Sequence, residues 1–103
     1  MEDKKPVSEM TDLELFDLVV SEMRDVFIER NRWYKRSFQH MDSISFSDTI
    51  IAKGARAKEI RMGQIQGDED LPTNPDECIK DSFLDAANYG ILGMINMKRQ
   101  GLI

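Results

Sequence analysis

Glu77, Asp81, Asp85 and Asn88 recur at spacings of four, four and three within NPDECIKDSFLDAANYGILGMINMKR, residues 74 to 99. On a helix turning roughly 100° per residue, the four fall within about a quarter turn of one another. Carboxylates so placed suit Mg²⁺ or sugar hydroxyls, and an amide beside them suits the edge of a base. Yet Leu84, Leu92 and Ile95 interleave with them, so this is no clean solvent face. An ionised carboxylate is costly to bury without a partner. Cations must therefore come from elsewhere in the chain.

They come from the middle third. Helical spacing groups Phe46, Ile50, Lys53, Ala57 and Ile60 on one stripe, with Arg56 at its margin. A lysine inside an apolar stripe must snorkel out, pair with a carboxylate or line a polar cavity. Asp81 and Asp85 are its natural partners. Two readings follow. In one, Lys53 forms a structural ion pair that fixes the register of two helices. In the other, Lys53 and Arg56 meet phosphates, Asp81 and Asp85 hold Mg²⁺ or sugar hydroxyls, and Asn88 reads a base edge.

A second constellation is RNRWYKRSF, residues 30 to 38. Arg30, Arg32, Lys35 and Arg36 interleave with Trp33, Tyr34 and Phe38, which equips the segment to stack a base and grip its phosphates. Phe38 is expected to plug one end of a bundle. Tyr34 and the neighbouring Asn31 are retained as ligand candidates. His40 is the single histidine and Cys78 the single cysteine, so no Ser/His/Asp or Cys/His set can be built. No catalytic residue is assigned.

The elements that carry these groups are helical. Thr11 followed by Glu14 makes a capping box, and Leu13, Phe16, Val20, Met23 and Phe27 give the first helix a core stripe up to about Arg30. The apolar period is lost between Asn31 and Ser47, which reads as a loop with one helical turn. A second helix is expected from Ser45 or Ser47 to about Gln64, slightly weakened by Gly54. GDEDLPTNP is a connecting loop. Asn74 and Pro75 then open a third helix, which Gly101 can end. Its apolar side comprises Ile79, Phe83, Ala87, Gly90, Ile91 and Met94, and its small residues would admit another helix closely. The expected class is all-α: a small bundle of three main helices completed by self-association, with residues 1–10 a flexible segment and 11–103 one domain.

Composition narrows the function. The net charge of -5 hides a layout of -5 over residues 1–23, +4 over 24–61 and -4 over 62–103. The basic middle can attract phosphate, but duplex nucleic acid usually wants a larger excess. One cysteine permits no internal disulfide and fits a reducing, cytoplasmic setting. No long apolar run suggests a membrane span, and the first ten residues lack a signal peptide's apolar core.

Taken together, several elements resemble a known family. Asn31, Tyr34, Ser37 and Phe38 look like its N-x-x-Y-x-x-S-F element, Lys53 and Arg56 its K-x-x-R element, and Glu77, Asp81, Asp85, Asn88 and Tyr89 its E-x-x-x-D-x-x-x-D-x-x-N-Y helix. That family is the first type of nucleotide modification associated domain, found in phages and bacteria. The resemblance spans about residues 20 to 97 and implies an all-α fold and a link to phage nucleotide or DNA modification, without a transferable activity. Trp33 and Lys35 depart from the small acidic residue and glycine more usual beside the tyrosine. The two-helix centre is also similar to MazG-like nucleotide pyrophosphatases, which hold Mg²⁺ with an E-x-x-E and an E-x-x-D pair. Here Lys53 and Arg56 occupy the position expected for the first acidic pair.

Bases in place of acids favour holding phosphates over cleaving them, since metal-assisted hydrolysis needs a cation to polarise phosphorus and activate water. The expected function is a small phage-type, cytoplasmic, self-associating nucleotide-binding protein. It would act in nucleotide modification or metabolism, or sequester a nucleotide signal of the host. Asn31, Tyr34, Lys53, Arg56, Asn88 and Tyr89 are its expected nucleotide ligands, with Asp81 and Asp85 for a permitted but not required Mg²⁺. The alternatives are a divergent Mg²⁺-dependent pyrophosphohydrolase using Glu77, Asp81 and Asp85, and a non-catalytic oligomerising adaptor.

Overall fold

The reciprocal bonds of a capping box start the first long helix, α1 (Asp12–Tyr34). Thr11 Oγ1 accepts from the Glu14 N–H at 3.2 Å, and Glu14 Oε1 accepts from the Thr11 N–H at 3.1 Å. The computed structural model describes residues 5–34 and 37–103. Met1 to Lys4 of the expected flexible segment lie outside the described residues. Val7–Glu9 form a short 3₁₀ turn, and Lys5 Nζ reaches Glu14 Oε1 at 3.0 Å.

The chain divides into two units, residues 1–35 and 36–103. In the first, α1 runs four residues past its expected end at Arg30. Losing the apolar period ends a core stripe, not a helix, and contacts within the last turns continue to support it. Trp33 Nε1 donates to Glu29 Oε1 at 3.5 Å, and Arg32 lies 4.0 Å from the same carboxylate. The expected core stripe is corrected: Leu13 is 69% and Phe16 63% exposed, and no residue from 12 to 33 is buried. A single helix has nothing within its own unit to bury that stripe against.

The second unit holds a 3₁₀ turn (Ser37–His40), α2 (Ser43–Gln66) and α3 (Pro75–Arg99). The start of α2 falls two residues before Ser45, and its cap is Asp42 rather than Ser45 or Ser47. The 3₁₀ turn closes with Met41 N–H to Phe38 O and leaves Asp42 extended, where its carboxylate accepts from the Ile44 N–H at 2.8 Å. Gly67, in the left-handed region at φ 70°, ends α2. Asn74 precedes α3 as expected but caps through its carbonyl, which accepts from the Cys78 N–H; its side chain makes no cap bond. Beyond Arg99, Gly101 adopts φ 74°, donates to Lys98 O and lets Leu102 donate to Met97 O, the Schellman arrangement that stops a helix.

α2 and α3 pair antiparallel. Gln64 Nε2 meets Asp76 Oδ1 at 2.8 Å near the connecting loop, Lys53 meets Asp85 midway, and the Phe46 ring lies 6.3 Å from that of Tyr89 towards the open end. Phe46, Ile50, Lys53, Ala57, Ile60 and Gln64 follow each other at alternating steps of four and three, the spacing of a coiled-coil seam. The same steps on α3 select Cys78, Ser82, Asp85, Tyr89, Leu92 and Asn96. All twelve are buried or half-buried.

This seam corrects the expected core face of α3. Its fully buried residues are Ser82, Asn88 and Asn96, all polar, whereas Phe83 is 61% and Met94 56% exposed. Small groups line the chosen face: Ala57 and Ser82 are buried in the seam, and Gly93 packs beside the Phe46 ring, which a Cβ there would meet at an ordinary 3.7 Å. The bulkier apolar side is turned away from α2. Among the described residues the chain forms no strand, and the all-α class with three main helices holds.

Candidate functional site

Lys53 Nζ lies 3.1 Å from Asp85 Oδ2. The apolar stripe of α2 carries the lysine into the seam, and the four-residue repeat of α3 brings the carboxylate to meet it. The Asp85 side chain is 14% exposed and that of Lys53 35%, so the carboxylate is withdrawn from water while the ammonium snorkels to the rim. The pairing of Lys53 with Asp85 was legible in the sequence; Asp81, its other candidate, is exposed.

One turn beyond Asp85, Asn88 is buried, with only 4% of its surface accessible. Neither its Oδ1 nor its Nδ2 has a hydrogen-bond partner among the described residues. Such amides are rare, because each polar group withdrawn from water and left unpaired costs about 1–3 kcal/mol. Tyr89, next in sequence, is half-buried in the seam with its ring tilted 51° to that of Phe46.

Helical phase places the remaining candidates. At roughly 100° per residue, Arg56 on α2 and Asp81 and Asn88 on α3 all turn off the seam towards the same flank of the antiparallel pair. Arg56 stands exposed, one turn from Lys53. The second unit thus gathers Lys53, Arg56, Asp81, Asp85, Asn88 and Tyr89 along one stretch. Asn31 and Tyr34 belong to the last turn of α1, in the first unit. The Tyr34 side chain, with Lys35 and Arg36 of the basic and aromatic segment, lies outside the described residues.

The donor set is poor in metal ligands. Among the described residues no three His, Cys, Asp or Glu side chains come together as a metal cluster. Asp81 and Asp85 are two carboxylates one turn apart, and one oxygen of Asp85 already faces an ammonium. Such a pair supplies too few oxygens for a cage and could meet Mg²⁺ only together with a ligand's phosphates.

Sequence reasoning missed Asn96, which is 5% exposed. Its Nδ2 donates to Phe38 O at 2.9 Å and to Met41 O at 3.3 Å, tying the turn before α2 to the last turns of α3. The signal was available: Asn96 lies in phase with Asp85 and Tyr89 on the seam. Phe38, expected as an end plug, is half-buried, and the Arg99 guanidinium stands 6.0 Å from its ring centre.

An antiparallel helical pair with a mixed-charge seam defines the class: a small all-α domain whose buried polar residues, among those described, all lie on one helix. The model of the nucleotide modification associated domain 1 family matches residues 30–97, from the last turns of α1 to the end of the seam. The chain belongs to that family. No curated protein and no solved structure matches it, and the likeness to MazG-like pyrophosphatases gains no support from these comparisons. Among the described residues no helix is long and apolar enough to cross a membrane.

Proposed function

We propose that the flank carrying Lys53, Arg56 and Asn88 binds a nucleotide, and that the protein serves nucleotide modification or metabolism by holding that nucleotide rather than cleaving it. The carrying observation is the Asn88 amide, buried with both its donor and its acceptor unpaired among the described residues. A base edge offers the matching donor and acceptor pair. Lys53 and Arg56 supply positive charge one turn apart on α2, suited to phosphate. Asp81, exposed one turn before Asp85, is the side chain to meet sugar hydroxyls or a Mg²⁺ arriving with the phosphates. Tyr89, half-buried next to Asn88 in the sequence, is the remaining nucleotide-ligand candidate of this stretch. The family's name supports a connection to nucleotides, and a phage-type protein sequestering a host nucleotide signal in the cytoplasm is the finer form of this reading. Asn31 and Tyr34 are nucleotide-ligand candidates of the first unit, taken by itself.

Self-association belongs to the same reading. Phe83, Ile91 and Met94 on α3 and Leu13, Phe16 and Val20 on α1 are apolar and at least 40% exposed, more apolar surface than a small monomer usually shows to water.

Calorimetric titration of the purified chain with mononucleotides and cyclic dinucleotides tests the binding, with mass spectrometry of small molecules copurified with it. Saturable binding is expected, weakened about tenfold or more in Arg56→Ala, an exposed position whose loss leaves the fold intact. Nucleotide recovered unchanged would confirm holding; Mg²⁺-dependent phosphate release would move the protein to the hydrolases. No binding across the panel would leave the oligomerising adaptor.

A further inference from the structure

At the open end of the α2–α3 pair, away from Lys53, lies a recess of about 210 Å³. Its walls are the turn before α2, the start of α2 and the last turns of α3. Asn96 lines it, and the amide orientation there is fixed. Nδ2 faces two carbonyl oxygens, Phe38 O and Met41 O, and turning the amide over would set oxygen against oxygen. Oδ1 is therefore the atom left over, buried and without a hydrogen-bond partner among the described residues. It can accept a hydrogen bond and cannot donate one.

The rest of the lining states what such a donor must be attached to. Met41, Phe46, Met97 and Leu102 supply apolar surface, Gln39, His40 and Gln100 supply the larger polar part, and Gly93 leaves a flat stretch of helix without a side chain. No lysine or arginine lines the recess, and its one carboxylate, on Asp42, already caps α2. An anion would find no lysine or arginine, His40 being the one other ionisable group of the lining, and a cation only a carboxylate engaged elsewhere. Ser43, at the first position of α2, adds a backbone N–H with no partner inside the helix, so an acceptor can be met as well. The volume is below the ~300–1,000 Å³ of pockets for drug-sized molecules. It suits one ring system rather than a whole nucleotide.

We propose that this recess is a subsite for a flat, uncharged heterocycle that presents an N–H to Asn96 Oδ1 and a ring acceptor towards Ser43, the chemistry of a nucleobase. It stands on different residues from the Lys53 flank and does not depend on the nucleotide reading of that flank. The ring can be a free base or the base of a nucleoside, and the probes separate the two.

The test is a titration of the full ¹⁵N-labelled chain with uracil, adenine, uridine, adenosine and the monophosphates of both nucleosides, following the side-chain amide signals of Asn96 and Asn88 separately. A saturable shift of the Asn96 signal with at least one probe is expected. A response to free bases but not nucleosides identifies an enclosed ring; a response to both identifies one whose sugar projects outward. Removing Asn96 itself risks undocking the turn before α2, so the variant of choice is Gly93→Ala. Its added methyl would meet Phe46 at an ordinary 3.7–3.8 Å and projects from the recess wall. The variant should fold and bind the base about tenfold more weakly. An unmoved Asn96 signal with every probe at millimolar concentration overturns the proposal, as does unchanged affinity in Gly93→Ala. If Asn96 stays silent while Asn88 responds to nucleotides, the recess fails and the Lys53 flank stands; the opposite pattern condemns the flank alone.

Discussion

The Lys53 ammonium and the Asp85 carboxylate meet 3.1 Å apart in the middle of the α2–α3 seam, and they are unequally exposed. That inequality has a testable consequence. Lys53 can swing its head into water when its partner is lost, so Asp85→Asn should cost about 1 kcal/mol. Asp85 has no such freedom, and Lys53→Met takes the ammonium from a desolvated carboxylate, which should cost about 2–4 kcal/mol. Urea unfolding of the two variants checks the order. Equal losses would mean that burial is not what distinguishes the partners.

The two glycines of α2 should respond differently. A Cβ on Gly54 meets nothing within 4 Å, so Gly54→Ala gains helix propensity alone and should stabilise by about 1 kcal/mol. A Cβ on Gly63 would come within 2.7 Å of Leu71 Cδ2, where the connecting loop folds over the helix. Gly63→Ala must displace that side chain, and its propensity gain should be cancelled or reversed. Thermal unfolding of both variants in one buffer makes the comparison.

The contrast between these glycines shows which features sequence can reveal. Lys53 was legible because a charge inside an apolar stripe has few physical solutions, and Thr11 with Glu14 because capping is local. The face on which α3 packs was not. Counting apolar side chains favours the side with Phe83 and Met94, but close approach is set by what is small, and Gly93 and Ser82 with Ala57 let the polar seam close instead. Asn96 escaped for the same reason: it lies off the apolar side that was counted as core. The fold class could be read from periodicity, while the burial of Asn88 depends on packing that no spacing encodes.

Acid should loosen the start of α1 before the α2–α3 pair. The Glu14 carboxyl is held below its ordinary value of 4.5, first by the Thr11 backbone N–H, then by Lys5 and the Thr11 hydroxyl. A depressed folded value contributes stability that is present above the ordinary value and lost as pH falls through the lowered one. Hydrogen exchange at residues 12 to 15 should therefore accelerate, beyond its intrinsic pH dependence, below about pH 4.5. In Glu14→Gln, which keeps an acceptor but cannot titrate, that extra acceleration should vanish. Its persistence would place the acid sensitivity elsewhere.

Self-association makes the sharpest demand on α3. Phe83 and Met94 lie on the side turned away from α2 and are more than half exposed. If a second copy covers this side, placing a charge there introduces an unpaired carboxylate into an apolar interface, which costs several kcal/mol. Phe83→Glu should therefore shift sedimentation from an oligomer to a monomer. Its secondary structure should persist, because the face of α3 that joins Phe46, Ala57 and Ile60 of α2 in the seam lies opposite Phe83 and is untouched. Ile51→Glu, at an exposed position of α2, supplies the control for added charge alone and should leave the oligomer in place. An oligomer that survives Phe83→Glu would exclude this face of α3 as its interface. A wild-type chain that sediments as a monomer at every concentration tested would remove self-association altogether.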